Sequence, residues 1–242
     1  MILHKKTTCL ICMISILVLS CTVTNNLYVN DPVPQGKGNC FFYAGLGTGF
    51  APDIDSVSSN GDVHYSQGLS LAPNLCIGAQ CGLGEQFDLR FNVHLPYVVT
   101  GFGLHAGIQY SLFRHWTLFN AALGTDVGFV VAKDTLDLGS IDIGLDPVTK
   151  GAINADFFLP VSYKLKENSR IVLTPRVSLN TLYIRRNENR NRSQKYSPIY
   201  PALSLGIFLN KLYFEATAQY IDERIIPGFG IVYKFQNQEN DE

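Results

Sequence analysis

The sequence has little charge, a single tryptophan and no apolar run long enough to cross a bilayer as a helix. Charged residues make up 16% of the 242 residues, against about 25% in ordinary soluble domains. Tyrosine, phenylalanine and glycine are plentiful instead, with 12, 15 and 21 copies. The formal net charge of −1 gives no electrostatic reason to expect nucleic acid as a partner. This composition suits a membrane β-barrel, and a soluble β-sandwich competes with it.

Motifs for metals and cofactors are also missing. The sequence contains no HExxH motif and no EF-hand loop, and the histidines of the chain body show no ligand spacing. The stretch "GLGTGF", at 45–50, looks like a phosphate loop, but no helical pattern follows it. We therefore predict no metal site and no cofactor.

The first residues read as an export signal. "MILHKK" is a basic start, and "TTCLICMISILVLS" is an apolar run of the length of a signal-peptide core. "VLSC" then ends at Cys21 and resembles the lipobox of bacterial lipoproteins, which implies cleavage after residue 20 and acylation of Cys21, for example with palmitate. An ordinary cleaved secretory signal is the alternative. Both interpretations place the chain outside the cytoplasm.

Cysteine usage agrees with export without deciding a pairing. Cys9 and Cys12 form a CxxC inside the apolar run and would leave with the signal. Cys40, Cys76 and Cys81 remain in the body, where an oxidising compartment permits one disulfide. The sequence leaves open which two of the three would pair.

The body divides into ten segments with strand-like alternation. They lie at 40–49, 67–80, 86–98, 101–112, 116–131, 152–165, 170–184, 199–209, 212–221 and 227–236. Most keep the alternation for about ten residues, the length that a membrane-spanning strand needs, whereas soluble strands centre near about 5–6. The predicted organisation is a signal peptide (1–20), a lipidated tether (21–39), a β-barrel (40–236) and a polar tail (237–242).

One segment shows the alternation clearly. In "FDLRFNVHLPYVV", at 87–99, Phe, Leu and Val alternate with Asp88, Arg90, Asn92 and His94. In a soluble sheet the apolar face would be buried, whereas in a membrane barrel it would face lipid and the charges would lie in the lumen. Strand length favours the second arrangement.

The connections between segments favour a barrel more strongly. Counted from the N-terminus, the even joins are short, near 81–85, 113–115, 166–169 and 210–211. The odd joins include three long polar stretches, at 50–66, 132–151 and 185–198, while 99–100 and 222–226 are short. Membrane barrels alternate short periplasmic turns with long outer loops, and a sandwich has no reason to do so. The prediction is an all-β, closed, antiparallel, up-and-down barrel of about ten strands, with eight as the alternative.

This pattern resembles the small bacterial outer-membrane β-barrels of the OmpA/OmpX/OmpW-like group over nearly all of 40–236. The last segment, "PGFGIVYKF", is similar to their aromatic-ended final strand, although "QNQENDE" follows it here. The resemblance implies a porin-like, monomeric barrel in the outer membrane, in contact with its lipids and with lipopolysaccharide.

The inward positions of the predicted strands carry charge. Seven residues form the predicted lumen network: Asp88, Arg90, His94, His105, Asp156, Arg176 and Glu215. Because a barrel of this size is narrow, opposite charges are expected to pair there and fill the lumen. A narrow polar pore or ligand pocket is one alternative, and a catalytic cluster is another.

Two further stretches are candidates for sites. His64 and Ser66, in "VHYSQG", could act as base and nucleophile of a lipid hydrolase, although a chance occurrence is the simpler interpretation. "RRNENRNRSQK" gathers Arg185, Arg186, Arg190, Arg192 and Lys195 in one predicted outer loop, a candidate contact for lipopolysaccharide phosphates or host glycans. The acidic stretch at 133–150 matches no known calcium loop.

The predicted function is therefore a non-enzymatic outer-membrane barrel lipoprotein. It would support envelope structure or contact a host or envelope ligand through its outer loops. A small channel or carrier for small or apolar solutes is the first alternative. The hydrolase that uses His64 and Ser66 is the second.

Overall fold

A computed structural model describes residues 29–57, 63–96, 101–113, 118–133, 148–186, 193–196, 199–221 and 223–236. The regular structure in these ranges consists of twelve β-strands. They are β1 (Cys40–Val57), β2 (Val63–Gly82), β3 (Phe87–Pro96), β4 (Gly101–Ser111), β5 (Phe119–Lys133), β6 (Val148–Phe158), β7 (Val161–Lys166), β8 (Ser169–Arg186), β9 (Ser193–Tyr196), β10 (Ile199–Leu209), β11 (Leu212–Ile221) and β12 (Arg224–Gln236).

The sheet closes on itself. Consecutive strands pair antiparallel from β1 to β6, β8 pairs with β10, and β12 returns to pair with β1. β6 and β7 both lie between β5 and β8, on either side of a break at Leu159 and Pro160. Together they fill one strand position in the barrel wall, and each such position is here called a stave. β9 only extends the hairpin from the end of β8. The prediction of ten staves is confirmed, and the eight-strand alternative is wrong.

The two ends of the barrel differ. One, here called the turn end, carries the short joins at 83–86, 112–118, 167–168 and 210–211. The tightest of these joins Leu209 to Leu212, and Asn210 takes a left-handed φ of 57° that asparagine tolerates better than most residues. The opposite end, here called the loop end, carries the joins that follow β1, β3, β5, β8 and β11. Because the number of staves is even, β1 begins and β12 ends at the turn end.

The first predicted loop, at 50–66, is mostly strand, which is a correction. β1 continues to Val57 and β2 begins at Val63, with register shifts near Ile54. The stretch contains Pro52 and several small polar residues, which hide the alternation, while pairing with the facing strand still satisfies the backbone. Strand structure also enters the predicted loop at 185–198, as β9.

The apolar side chains face outward and the polar ones inward. On β3, Leu89 and Phe91 are each 44% exposed, whereas Arg90 between them is 1% exposed. Asp88, Asn92 and His94 are buried with it. The predicted orientation of the alternating segment 87–95 is therefore confirmed. Among the described residues no helix is long and apolar enough to cross a bilayer.

A disulfide joins the first two strands at the turn end. Cys40 and Cys81 are direct register partners on β1 and β2, with Cα atoms 4.1 Å apart. Cys76 is free and buried in the interior. The sequence left this pairing open. It follows from the strand register, which places Cys40 opposite Cys81.

Glycine makes room for interior aromatic rings on neighbouring strands. The ring of Tyr43 lies over Gly78, its register partner, and a Cβ at Gly78 would overlap that ring. Tyr213, whose register partner is Phe208, lies over Gly206 of the neighbouring strand, and a Cβ at Gly206 would overlap that ring too. In a barrel this narrow a large side chain on one strand requires a small residue beside it.

Candidate functional site

The barrel interior is the candidate site, because the chemically active side chains of the described strands are gathered there. Every member of the predicted lumen network is buried: Asp88, Arg90, His94, His105, Asp156, Arg176 and Glu215. Asparagine, glutamine, serine and threonine side chains surround them on most strands. The interior is therefore a polar core with an apolar exterior, the inverse of a soluble domain.

A central cluster lies at mid-height. Arg90 on β3 has its Nη2 atom 3.6 Å from Oδ2 of Asp126 on β5. The same guanidinium lies over the ring of Phe158, 4.3 Å from its centroid. Nη2 also donates a hydrogen bond to the carbonyl oxygen of Val29, at 3.1 Å. Arg90 therefore links the wall to the N-terminal segment.

The two buried histidines lie beside this pair. Their ring centroids are 5.1 Å apart in an edge-to-face arrangement, and Nδ1 of His105 lies 4.0 Å from Oδ2 of Asp156. His94 also lies against Asn74 of β2, with 3.4 Å between Nδ1 and Nδ2. Three of the predicted network residues, His94, His105 and Asp156, are thus brought together. In the part of the chain that the structure describes, no group of three or more potential ligands could hold a metal ion.

Glu215 on β11 has separate partners. Tyr213 donates a hydrogen bond to Oε2 at 2.9 Å, and Thr217 donates one to Oε1 at 2.8 Å. Ser204 on β10 lies within 2.9 Å of the Thr217 hydroxyl. This carboxylate is therefore held by hydroxyl groups from its own strand, with a neighbouring strand behind them.

The N-terminal segment from Val29 to Gln35 lies inside the barrel, here called the plug. It belongs to the stretch 21–39 that the sequence predicts to be a tether; residues 21–28 lie outside the described residues. Val29, Asn30 and Asp31 are 1–3% exposed. Gln35 lies beside Asp88 at the turn end of the barrel, and Val29 lies beside Arg90 near mid-height. The plug runs between these two points. No pattern in the sequence predicts this position, because a polar segment with two prolines is typical of a linker.

Of the plug residues, Asp31 makes the most hydrogen bonds to the barrel wall. Its carboxylate accepts hydrogen bonds from Arg170 of β8 and, at 3.3 Å, from Nζ of Lys234 on β12. Its backbone carbonyl accepts hydrogen bonds from Gln109 of β4 at 2.6 Å and from Gln80 of β2 at 3.4 Å. Charge-assisted bonds of this kind are stronger than neutral ones.

Two more contacts hold the lower part of the plug. The Ser111 hydroxyl donates a hydrogen bond to the carbonyl of Pro32 at 2.9 Å. The backbone N–H of Gln35 donates to Asp88, at 3.2 Å from Oδ1, and Gln80 donates to the other oxygen of that carboxylate at 2.7 Å. Of the predicted network, Asp88 thus belongs with the plug at the turn end and lies apart from the central cluster.

Sequence reasoning missed several interior residues of the described strands. They are Asp31 of the plug, Tyr43, Asn74 and Gln80 of the first two strands, Asp126 of β5, Arg170 of β8 and the half-buried Lys234 of β12. A signal existed on β2, where Asn74, Cys76, Gly78 and Gln80 share one parity. For Asp31 no local signal exists, because its partners come from strands that are distant in sequence.

Other predicted sites are only partly described. His64 and Ser66 lie on β2, and the backbone of His64 is registered opposite Ser56. Arg185 and Arg186 end β8, and Lys195 of β9 is registered opposite Tyr183. Cys21, Arg190, Arg192 and the acidic stretch between β5 and β6 lie outside the described residues.

The exterior decides the class of fold. Each of the ten staves presents a large apolar side chain outward near mid-height: Leu46, Ile77, Phe91, Ile108, Val127, Phe157, Val177, Leu205, Phe214 and Ile231, all at least 40% exposed. The chain has the fold of an outer-membrane β-barrel. A closed barrel with an apolar outside and a polar inside leaves no sheet edge and no unpaired backbone toward lipid.

Solved structures of such barrels have a similar form. Ail, the attachment invasion locus protein of Yersinia pestis, is 7% identical, with 82% of this chain and 99% of that chain covered and a TM-score of 0.35. The N-terminal β-barrel domain of Pseudomonas aeruginosa OprF is 11% identical, with 83% and 100% covered and a TM-score of 0.37. The COG4313 outer membrane channel from Pseudomonas putida F1 is 10% identical, with 86% and 100% covered and a TM-score of 0.46.

No functional conclusion follows from these similarities, because identity and TM-score are both low. No protein-family model and no curated protein matches the sequence. The function therefore has to be argued from the chain's own residues.

Proposed function

We propose that this protein is a sealed, non-enzymatic barrel of the bacterial outer membrane that serves envelope structure and contacts ligands at its loop end. The observation that carries the proposal is the pairing of an apolar exterior with an interior packed by buried polar side chains and the plug. A barrel of this kind is stable in a membrane and offers no water-filled path through its described part.

The exterior supports membrane insertion. Besides the apolar ring at mid-height, aromatic side chains collect outside the turn end: Phe87, Tyr110, Phe113, Phe119, Tyr163, Tyr233 and Phe235. The rings of Phe119 and Tyr163 are 5.0 Å apart, and those of Tyr233 and Phe235 are 4.9 Å apart. Aromatic girdles of this kind mark the membrane interface of outer-membrane barrels.

The interior supports a closed lumen. Asp88, Asp126 and Asp156 are 0% exposed, and the plug fills the turn-end half. Water in a continuous channel would leave such side chains accessible. The packed interior also separates the buried acids and histidines from any substrate, which favours a structural role over catalysis.

The first experiment tests insertion and closure together. The protein is isolated from outer membranes, washed with alkali, run on gels with and without heating, and reconstituted in planar bilayers. We expect retention after alkali, heat-modifiable migration and no steady conductance. Extraction by alkali, or identical migration heated and unheated, would refute the barrel in the membrane. A steady ohmic conductance would instead favour the channel alternative.

At the loop end we propose a contact for anionic groups. β9 pairs with the end of β8, so Arg185, Arg186 and Lys195 lie on one two-stranded ribbon that continues the wall of the barrel. Arg185 is also registered opposite Thr149 on β6, next to Lys150. A cationic ribbon of this kind would attract lipopolysaccharide phosphates or sulfated host glycans.

The test of this contact replaces Arg190, Arg192 and Lys195 with Ser. A matched control removes the same charge at the turn end through Lys37→Ser, Lys166→Ser and Lys211→Ser, all exposed positions. We expect the loop-end variant, and not the control, to lose binding to lipopolysaccharide vesicles or to immobilised heparin. Retained binding to both probes would refute the proposal, and the probe that is lost identifies the partner.

The hydrolase alternative has its own test. Purified protein is assayed for release of fatty acid from phospholipid and from lipid A, with His64→Ala as the comparison. We expect no activity from either protein. Activity that depends on His64 would overturn the non-enzymatic assignment.

A further inference from the structure

Asp31 occupies a site that the barrel wall builds. Its four side-chain donors come from four different strands: Gln80 of β2, Gln109 of β4, Arg170 of β8 and Lys234 of β12. Each donor is buried or nearly so, and each points into the lumen at the turn end. Arg170 and Lys234 donate to the carboxylate of Asp31. The two glutamines donate to its backbone carbonyl.

The two cations of this site are held in place by aromatic rings. Arg170 lies over Phe208, with 4.0 Å between its Cζ atom and the ring centroid. Nζ of Lys234 lies 3.8 Å from the centroid of Phe41. A ring face attracts a cation and leaves its N–H groups free to point elsewhere, here toward the carboxylate. The cations are therefore positioned by the wall independently of the plug.

Asp31 supplies the charge that this site requires. Arg170 and Lys234 are both withdrawn from water, and unpaired buried cations are costly. The other nearby carboxylate, Asp88, accepts hydrogen bonds from Gln80 and from the backbone of Gln35. Removal of the Asp31 carboxylate would thus leave two oriented cations facing an empty volume of about carboxylate size.

The rest of the upper plug is held less tightly than Asp31. Asn30 is buried, and within the described residues neither atom of its side-chain amide has a hydrogen-bond partner. Val29 contributes its carbonyl to Arg90 and its side chain to an interior apolar cluster with Phe41 and Tyr43. The charged contacts of the plug are concentrated on one carboxylate, as they would be for a bound ligand.

We propose that the turn end of the lumen is a carboxylate-binding site, which Asp31 occupies within the same chain and which accepts a small organic carboxylate when the Asp31 carboxylate is removed. Arg170 and Lys234 bind the charge, and the aromatic rings behind them set the orientation. The inference does not rest on the proposed function at the loop end.

The experiment is a chemical rescue. Full-length Asp31→Ala is folded in detergent, and its thermal unfolding is followed by the loss of the heat-modifiable band in sodium acetate or in sodium chloride at equal ionic strength. We expect acetate to raise the melting temperature of the variant by roughly 3 °C or more over chloride, because a ligand that binds only the folded state stabilises it. The wild type, whose site is filled, should melt at the same temperature in both salts.

Two further variants make the result specific. Arg170→Met combined with Asp31→Ala removes the main cation and should abolish the acetate effect. Asp88→Ala deletes a buried carboxylate whose donors, Gln80 and the Gln35 backbone, are uncharged, and it should show no acetate effect. If Asp31→Ala folds poorly in chloride, its folding yield in acetate replaces the melting temperature.

The outcomes separate clearly. A gain in melting temperature or yield that is specific to acetate and depends on Arg170 supports the site. Equal values in the two salts, including failure to fold in both, overturn it. An acetate effect that persists without Arg170, or that appears equally in Asp88→Ala, also overturns it.

Discussion

Nη2 of Arg90 lies 3.6 Å from Oδ2 of Asp126, and both side chains are almost fully shielded from water. β4 separates their strands, so the pair spans the interior across one stave. The same Nη2 atom donates to the carbonyl of Val29. This pair therefore connects two parts of the wall with the plug. Its loss should lower the free energy of unfolding of the whole barrel.

Replacement of Arg90 with Met should lower the free energy of unfolding by about 3–5 kcal/mol, because it leaves Asp126 buried without its cation. Urea titration of the protein folded in lipid vesicles measures this. The double variant Arg90→Met with Asp126→Leu should recover part of the loss, since it removes both charges. A double variant that is less stable than the single one would contradict the pairing.

Phe91 and Asn92 provide a matched pair on the two faces of β3. Phe91→Asp places a charge among lipid-facing side chains, which is costly at membrane depth, and should block assembly. Asn92→Asp adds the same charge to the lumen, where the Tyr43 hydroxyl already donates to this side chain, and should assemble. Phe91→Leu should be tolerated. A heat-modifiable band of normal intensity from Phe91→Asp would refute the orientation of the strand.

The disulfide between Cys40 and Cys81 can be tested by thiol labelling and mass spectrometry. Among the three cysteines of the barrel, only Cys76 should take up maleimide in the denatured, unreduced protein, and reduction should add labels on Cys40 and Cys81. Loss of the bond through Cys40→Ser and Cys81→Ser should cost at most roughly 4 kcal/mol, since the bond closes a loop with a sequence separation of 41. Labelling of Cys40 or Cys81 before reduction would contradict the pairing in the exported protein.

Close packing of Tyr213 over Gly206 predicts sensitivity to size. Gly206→Val should destabilise the barrel by about 1–3 kcal/mol, because the added side chain must displace a buried ring. Gly84→Val at the turn between β2 and β3 meets open space and serves as the control. The difference between the two unfolding midpoints in urea is the measurement. Equal midpoints would mean that the interior accommodates the side chain without strain.

The alternation of side chains carried most of the fold prediction. On β3, β8 and β11 the polar parity identified the lumen side correctly, including Arg90, Arg176 and Glu215. Strand ends were predicted less well, because the backbone pairing that extends β1 and β2 to Val57 and Val63 depends on the facing strand and leaves little trace in local pattern.

The interior contacts needed the folded chain. Arg90 was expected to pair, but nothing in the sequence distinguishes Asp126 from the other acids as its partner. Likewise the disulfide between Cys40 and Cys81 follows from register across β1 and β2. Such contacts join residues that are brought side by side only when the sheet closes.

By itself the sequence determined the period-two pattern, a strand number of about ten and which face of most strands is polar, because these follow from local chain geometry and side-chain chemistry. The tertiary structure alone decided that Asp31 enters the lumen and meets Arg170 and Lys234. That outcome depends on the volume enclosed by ten staves and on the requirement that buried charges be paired. Both are properties of the closed barrel, and no short stretch of the chain contains them.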